Sequence, residues 1–263
     1  MASTKIDNNN TGQEKPPLDS VASKMPKLKS EKHYNQCAQP IFHGRRKAYK
    51  LSIRKKFLIN EVLPSFRIRV PQDSKNINLV DLFPSKPEEL HLEIGFGAGE
   101  HLLAKAIQNP KVGFIGVDPF LNGVASLLNG LIYNNVKNIR IFDDDVRLIL
   151  DYFPCESVKT VYILFNDPWP KVRHHKRRLV QDDMIRILAN ITVGGGHIVF
   201  ASDHADFVRW TLKKFTNSPF FFWEAESKKD WSIRPRDWIP TRYEEKALLK
   251  KRKITYLTFT RTS

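Results

Sequence analysis

The sequence predicts an α/β fold: a doubly wound, mostly parallel sheet with helices on both faces. Three observations predict it. From residue 90 onward, short apolar runs alternate with amphipathic stretches of helical period, the pattern of strands covered on both faces by crossover helices. Each of the first five runs ends in or beside a carboxylate. The last two runs come as a pair outside that alternation, which predicts an antiparallel C-terminal edge.

Residues 1–40 are polar, proline-punctuated and poor in aromatic side chains. Such a segment cannot bury enough apolar surface to offset its ordering entropy, so we expect a disordered basic tail followed by one domain over 41–263. Residues 1–60 hold 13 Lys/Arg against 4 Asp/Glu, a net +9 of the chain's +15. LHLEI, VGFIGV, NIRIF, VKTVYILF and HIVFAS are the five strand runs. Helical periodicity fills residues 99–108, 119–134, 145–152, 178–191 and 204–216. FFFWEAE (220–226), a Trp/Arg/Pro loop, a short helix near 242–250 and KITYLTFT (253–260) complete the chain. The sum is a seven-stranded, Rossmann-like sheet.

Composition narrows the function classes. A hydrophobic fraction of 41% with 17 Phe and 5 Trp is enough for a core in 263 residues. No run approaches the roughly 18 apolar residues of a membrane span. The first arginine is Arg45 and no apolar signal core precedes it, so a cytoplasmic protein is expected. Cys37 and Cys155 have neither disulfide-scaffold nor metal-ligand spacing, and no metal is expected. The +15 charge and a pI near 9.8 call for a polyanionic partner, most economically nucleic acid.

In sheets of this kind the ligand lies beyond the carboxyl ends of the strands. Those ends are Glu93, Asp118, the run Asp143-Asp144-Asp145, Asp167 and Asp203. A single Asp there would serve as a helix cap; five in five point to a site. Glu93-Ile94-Gly95-Phe96-Gly97-Ala98-Gly99-Glu100 forms a glycine loop after the first strand. A dinucleotide fingerprint would need Gly at position 100, and Glu93 and Glu100 would repel a pyrophosphate. No P-loop is present. A carboxylate ahead of the glycines suits a cationic ligand. Gly95 and Gly97 let the backbone approach it, Asp118 suits a ribose diol, and Asp145, or else Asp144, suits an adenine amino group. That set describes S-adenosylmethionine, with a structural glycine turn or a different nucleotide as the alternatives.

The stretch FNDPWPKVRHHKRR (165–178) carries the other half of the chemistry. Pro168 biases Asp167 to an extended conformation, so its carboxylate is expected over the sheet edge. Trp169 offers a face for a base or packs the corner. Lys171, Arg173, Lys176, Arg177 and Arg178 are expected on phosphates, with His174 and His175 as further donors; a plain solvated charge run is the competing reading. The run Lys250-Lys251-Arg252-Lys253 is expected to be a solvated helix–strand junction.

Phe165–Arg178 resembles the F-x-D-P-W-x-K-x-R-H-x-K-R-R signature of bacterial tRNA (guanine-N7)-methyltransferases. Glu93–Gly99 is similar to that family's E-[IV]-G-x-G-x-G, Ser202-Asp203 to its T-D, and Thr241-Arg242-Tyr243-Glu244 to its T-[KR]-[FY]-E. Gly44-Arg45-Arg46-Lys47 matches a basic segment before the fold. The resemblance runs from about residue 43 to the end, with Asn166 and Asp118 departing from the commoner residues. It implies methyl transfer from S-adenosylmethionine to guanine N7 in tRNA, in the variable loop. Glu93, Asp118, Asp145 and Asp167 would then line the donor site. Lys171, Asp203, Thr241, Arg242, Tyr243 and Glu244 would meet the RNA or its guanine, and Arg45 and Arg46 would add backbone contacts. Asp167 would be the catalytic residue, orienting the base. Thr241-x-x-Glu244 also reads as a capping box. Methylation of an exocyclic amine, or RNA binding without catalysis, are the other readings. A monomer or homodimer fits equally.

Overall fold

The structure is a computed structural model that describes Gly44, Arg46 and residues 50–70 and 76–262. The expected tail over 1–40 and Arg45 lie outside the described residues. Seven strands join in one sheet: β1 Glu89–Ile94, β2 Val112–Val117, β3 Ile139–Phe142, β4 Val158–Leu164, β5 Thr192–Ser202, β6 Phe221–Trp223 and β7 Thr255–Arg261. Their order is β3-β2-β1-β4-β5-β7-β6. The first five are parallel to one another, and β7 runs antiparallel between β5 and β6. The predicted fold class, with its antiparallel edge, is the observed one.

The connecting helices are α1 Ile53–Phe57, α2 Glu100–Gln108, α3 Leu121–Tyr133, α4 Asp182–Ile191, α5 Ala205–Thr216, α6 Lys228–Ser232 and α7 Arg242–Leu249. One core gathers Ile94, Val161, Ile163 and Phe200 with Leu188 of α4 and Phe207 and Phe215 of α5. A second gathers Phe114, Ile139 and Ile141 with Leu102 of α2 and Val124, Leu127 and Leu128 of α3. Because the parallel strands are covered on both faces, they read in sequence as continuous apolar runs. A smaller cluster seats Ala247 of α7 on Tyr162, Leu164 and Tyr256.

Some boundaries differ from expectation, each for a local reason. Residues 145–152 form two 3-10 turns, Val146–Leu148 and Leu150–Tyr152, because Ile149 leaves helical geometry (φ −123°) and Pro154 forces Phe153 to extend. The helix expected from 178 starts at Asp182, since Arg178 is extended (ψ 138°) and Val180 is drawn into the core. Ile53–Ser65, unassigned from sequence, is α1 followed by a π turn and a 3-10 turn, with Leu58 and Leu63 buried in the second core. α6 occupies part of the expected Trp/Arg/Pro loop through a Ser227/Asp230 capping box.

Strand order reverses between β1 and β4: from β1 the chain builds outward to β2 and β3, then returns to lay β4 on its other side. A crevice opens at such a switch point, beyond the carboxyl ends of the strands.

Candidate active site

A cavity of about 560 Å³ lies at that switch point. Its wall is built from the loops after four strands: Gly95 and Gly97 after β1, Asp118 and Phe120 after β2, Asp145 and Arg147 after β3, and Asn166, Asp167, Trp169 and Arg177 after β4. Gly44 and Tyr243 close its rim.

The glycine loop is held in shape from within. Gly95 has φ +79°, a left-handed conformation that favours glycine, and a Cβ there would lie 2.6 Å from Asn166 Nδ2, so a side chain at 95 would have to displace that amide. Asn166 in turn donates to the Ile94 carbonyl at 3.2 Å. The Gly97 N–H donates to Asp118 Oδ2 at 2.7 Å, and the Phe120 N–H to Asp118 Oδ1 at 2.8 Å. Burial pushes the Asp118 carboxyl up to about 7; its two backbone donors act against that, and the charges of Glu93 and Asp167 add to it.

The three consecutive aspartates after β3 are sorted by their partners. Arg67 takes Asp143 with two parallel bonds, Nε to Oδ1 and Nη2 to Oδ2, both 2.8 Å. Asp144 pairs with Arg46 and accepts the Asp145 N–H at 2.8 Å. Asp145 alone of the three lines the cavity, capping the Val146–Leu148 turn through the Arg147 N–H at 3.0 Å.

Asp167 stands exposed at the cavity mouth, yet the protein around it displaces enough water to push its carboxyl above the ordinary range. Its loop is strained. Phe165 (φ +53°) and Trp169 (φ +43°) are both left-handed, a conformation that bulky side chains hold only when the surroundings impose it. Arg178 is what imposes it at one end. Expected on RNA phosphates, Arg178 is instead completely buried. Its Nε donates to the Pro168 carbonyl at 2.9 Å and its Nη2 to Asp206 Oδ2 at 2.5 Å, with the guanidinium 5.1 Å from the Trp210 ring centre. Arg177 lies over the Trp169 ring at 5.1 Å, and His174 meets that ring edge-on at 5.9 Å. Lys171, Arg173 and Lys176 are exposed.

The family model described as "Putative methyltransferase" matches residues 87–257. The tRNA (guanine-N(7)-)-methyltransferase of Rhodospirillum rubrum is 42% identical over 226 residues, covering 84% of this chain and 87% of its own. Its counterpart in Agrobacterium fabrum is 41% identical, covering 85% and 96%, and that of Bartonella quintana is 42% identical, covering 83% and 94%. The chain belongs to the tRNA (guanine-N7)-methyltransferase family.

In this family member the remaining expected site residues separate into those at the cavity and those committed elsewhere. Glu93 does not line the cavity: it is buried, with Oε2 2.7 Å from Nδ1 of His101 on α2. Asp203 is bound by Arg252 at 2.8 Å. Thr241 caps α7 by accepting the Glu244 N–H at 3.1 Å, but the Glu244 side chain does not return to complete a capping box. It is completely buried and accepts from Arg234 Nε (2.7 Å), Trp238 Nε1 (2.6 Å) and Tyr256 Oη (2.7 Å). A carboxylate so occupied is a structural hub, and direct contact of Glu244 with substrate is not supported. Between these two, Tyr243 is exposed, lines the cavity and packs over Gly97; Arg242 is exposed beside it.

Sequence reasoning passed over Arg147 and Phe120 on the cavity wall and treated Asn166 only as a departure from pattern. No local signal marks the first two; the close approach of Asn166 to Gly95 is a long-range contact. Among the described residues no group of three or more His, Cys, Asp or Glu could hold a metal ion, and no helix is long and apolar enough to cross a membrane.

Proposed function

We propose that this chain transfers the methyl group of S-adenosylmethionine to N7 of a guanine in tRNA, the variable-loop guanine by family resemblance. The observation that carries the reading is the convergence of Asp118, Asp145 and Asp167 on one cavity at the strand-order switch, in a chain of this family.

The residues fit the donor. Each Asp118 oxygen accepts one backbone N–H and keeps a lone pair for a ribose hydroxyl. Asp145, whose Oδ2 lies 3.4 Å from Arg147 Nη1, keeps a lone pair for the adenine amino group, and the Asp118 and Asp167 carboxylates suit a cationic sulfonium. When bound, the donor supplies an electrophilic methyl group on a positively charged sulfur.

The chain's own task is alignment. Guanine N7 has a lone pair and no proton to lose, so no general base is required. Holding the two reactants in line accounts for roughly 7–11 kcal/mol of the barrier. Asp167, at the mouth, accepts from the guanine N1 and N2 donors and offsets the charge that develops on the ring. Lys171, Arg173 and Lys176 meet the phosphates, and the base reaches the cavity by extrusion from its tertiary contacts.

The test is methyl incorporation from labelled S-adenosylmethionine into unmodified tRNA, followed by borohydride and aniline cleavage. Cleavage at a variable-loop guanine supports the reading. Incorporation without cleavage moves the target to an exocyclic amine or another atom, and no incorporation with the donor bound overturns tRNA as substrate.

A further inference from the structure

The basic run Lys250–Lys253, which the sequence alone suggests is a solvated junction, occupies a significant place in the fold. α7 ends at Leu249 and β7 opens at Thr255, which pairs antiparallel with Ser202, the last residue of β5. The turn between them therefore stands on the same rim of the sheet as the cavity. β5 separates β4 from β7. Two strand spacings, about 10 Å, thus lie between the strand end that leads to Asp167 and this turn.

All four side chains are exposed. Arg252 is tied to Asp203, and this neutralises the carboxylate at the end of β5. No ion pair or hydrogen bond engages the ammonium groups of Lys250, Lys251 or Lys253 among the described residues. On the other side of Asp203 the same rim carries the exposed Lys171, Arg173 and Lys176.

The backbone adds an independent observation. Lys251 is left-handed (φ +53°), its N–H donating to the Leu248 carbonyl at 2.8 Å while the Arg252 N–H reaches Ala247 at 2.9 Å. This is a helix-ending motif whose left-handed position favours glycine. A cation is thus held where the backbone alone would select glycine. Attraction to the helix dipole favours a cation here as well, but it makes no demand on RNA.

We propose that Lys250, Lys251 and Lys253 form a tRNA-phosphate surface that continues the Lys171–Lys176 segment along the sheet rim. The inference rests on the functional reading above, since that reading supplies the RNA. The turn would position the RNA backbone and take no part in methyl transfer, because phosphate contacts fix register without touching the reacting base.

The test compares the full chain with Lys251→Gly and with the triple variant Lys250→Ala/Lys251→Gly/Lys253→Ala. Equilibrium binding of unmodified tRNA is followed over a salt series. We expect Lys251→Gly to raise the melting temperature while weakening tRNA binding, a combination that a purely structural role does not produce. The triple variant should lose about tenfold or more in tRNA affinity near 0.15 M salt, and its slope of log affinity against log salt should fall by about 2 to 3. Donor affinity and the rate at saturating tRNA should stay within about twofold, since the cavity is untouched. An unchanged affinity and slope would overturn the proposal. So would unchanged tRNA binding with altered self-association, which would make the turn a contact between copies of this chain. A wild-type chain that binds no tRNA at all would sink the functional reading itself, a result distinct from either.

Discussion

Arg178 Nε donates to the carbonyl of Pro168 at 2.9 Å from a completely buried position. Through Asp206 the same guanidinium is anchored to α5, so α5 sets the corner that presents Asp167 and holds Trp169 left-handed. Lysine has a single ammonium and cannot span both acceptors with the fork geometry. Arg178→Lys should lower kcat by about tenfold or more, as a small misplacement of an aligning group does. Donor affinity measured by calorimetry should change little. Equal losses in donor affinity and kcat would reduce Arg178 to a general stabiliser.

Asp118 is expected to make donor binding pH-dependent. Its folded-state carboxyl is raised to about 7, above an unfolded value of about 3.9. In the donor-free protein its contribution to stability is therefore fully present below about pH 3.9 and lost as the pH rises through about 7. Ribose hydroxyls are donors to the ionised form, so donor affinity should rise with pH and level off above about 7. Asp118→Asn should flatten the profile and weaken binding at pH 8. Calorimetric titration across pH 5.5 to 8.5 checks this, and a flat wild-type profile would contradict it.

Gly95 and Asn166 are coupled by contact. Gly95→Ala places a methyl group 2.6 Å from Asn166 Nδ2 and asks alanine to hold φ +79°. Donor binding should fall sharply. Adding Asn166→Ala should recover part of the loss by removing the clash, leaving about 1–2 kcal/mol of left-handed strain. A double-mutant cycle with no interaction energy would show that the two do not share this contact.

Glu244 and its neighbour Tyr243 should divide by phenotype. Glu244→Ala leaves three donors, on Arg234, Trp238 and Tyr256, without their acceptor. The expected cost is about 3 kcal/mol, or a fall in Tm of roughly 6–12 °C for a chain of this size. Tyr243→Ala, at an exposed cavity position, should leave Tm nearly unchanged and raise the KM for tRNA. Calorimetric melting with steady-state kinetics on both variants checks the split; the reverse assignment would return Glu244 to the substrate.

Much of the fold was legible because its signals are local. The continuous apolar runs of β1 to β5 and the helical period of α2, α3, α4 and α5 each lie within a short window. Residues 146–152 have helical periodicity in sequence, yet Pro154 and the geometry of Ile149 break them into two 3-10 turns. Phe165–Arg178 was legible as a signature, yet its members have different fates. Lys171, Arg173 and Lys176 face solvent, Arg177 covers Trp169, and Arg178 is core.

The sequence by itself determined the layered sheet and the carboxylates at its strand ends, because periodicity and spacing are properties of neighbouring residues, and the Phe165–Arg178 signature carried the family resemblance. Only the tertiary structure decided which of those groups face the cavity. Arg67 withdraws Asp143, Arg46 holds Asp144, His101 covers Glu93, and Arg234, Trp238 and Tyr256 consume Glu244. Most of these partners come from other elements of the chain. Whether a charge is spent on a neighbour or left facing the cavity depends on packing between elements, which no local window contains.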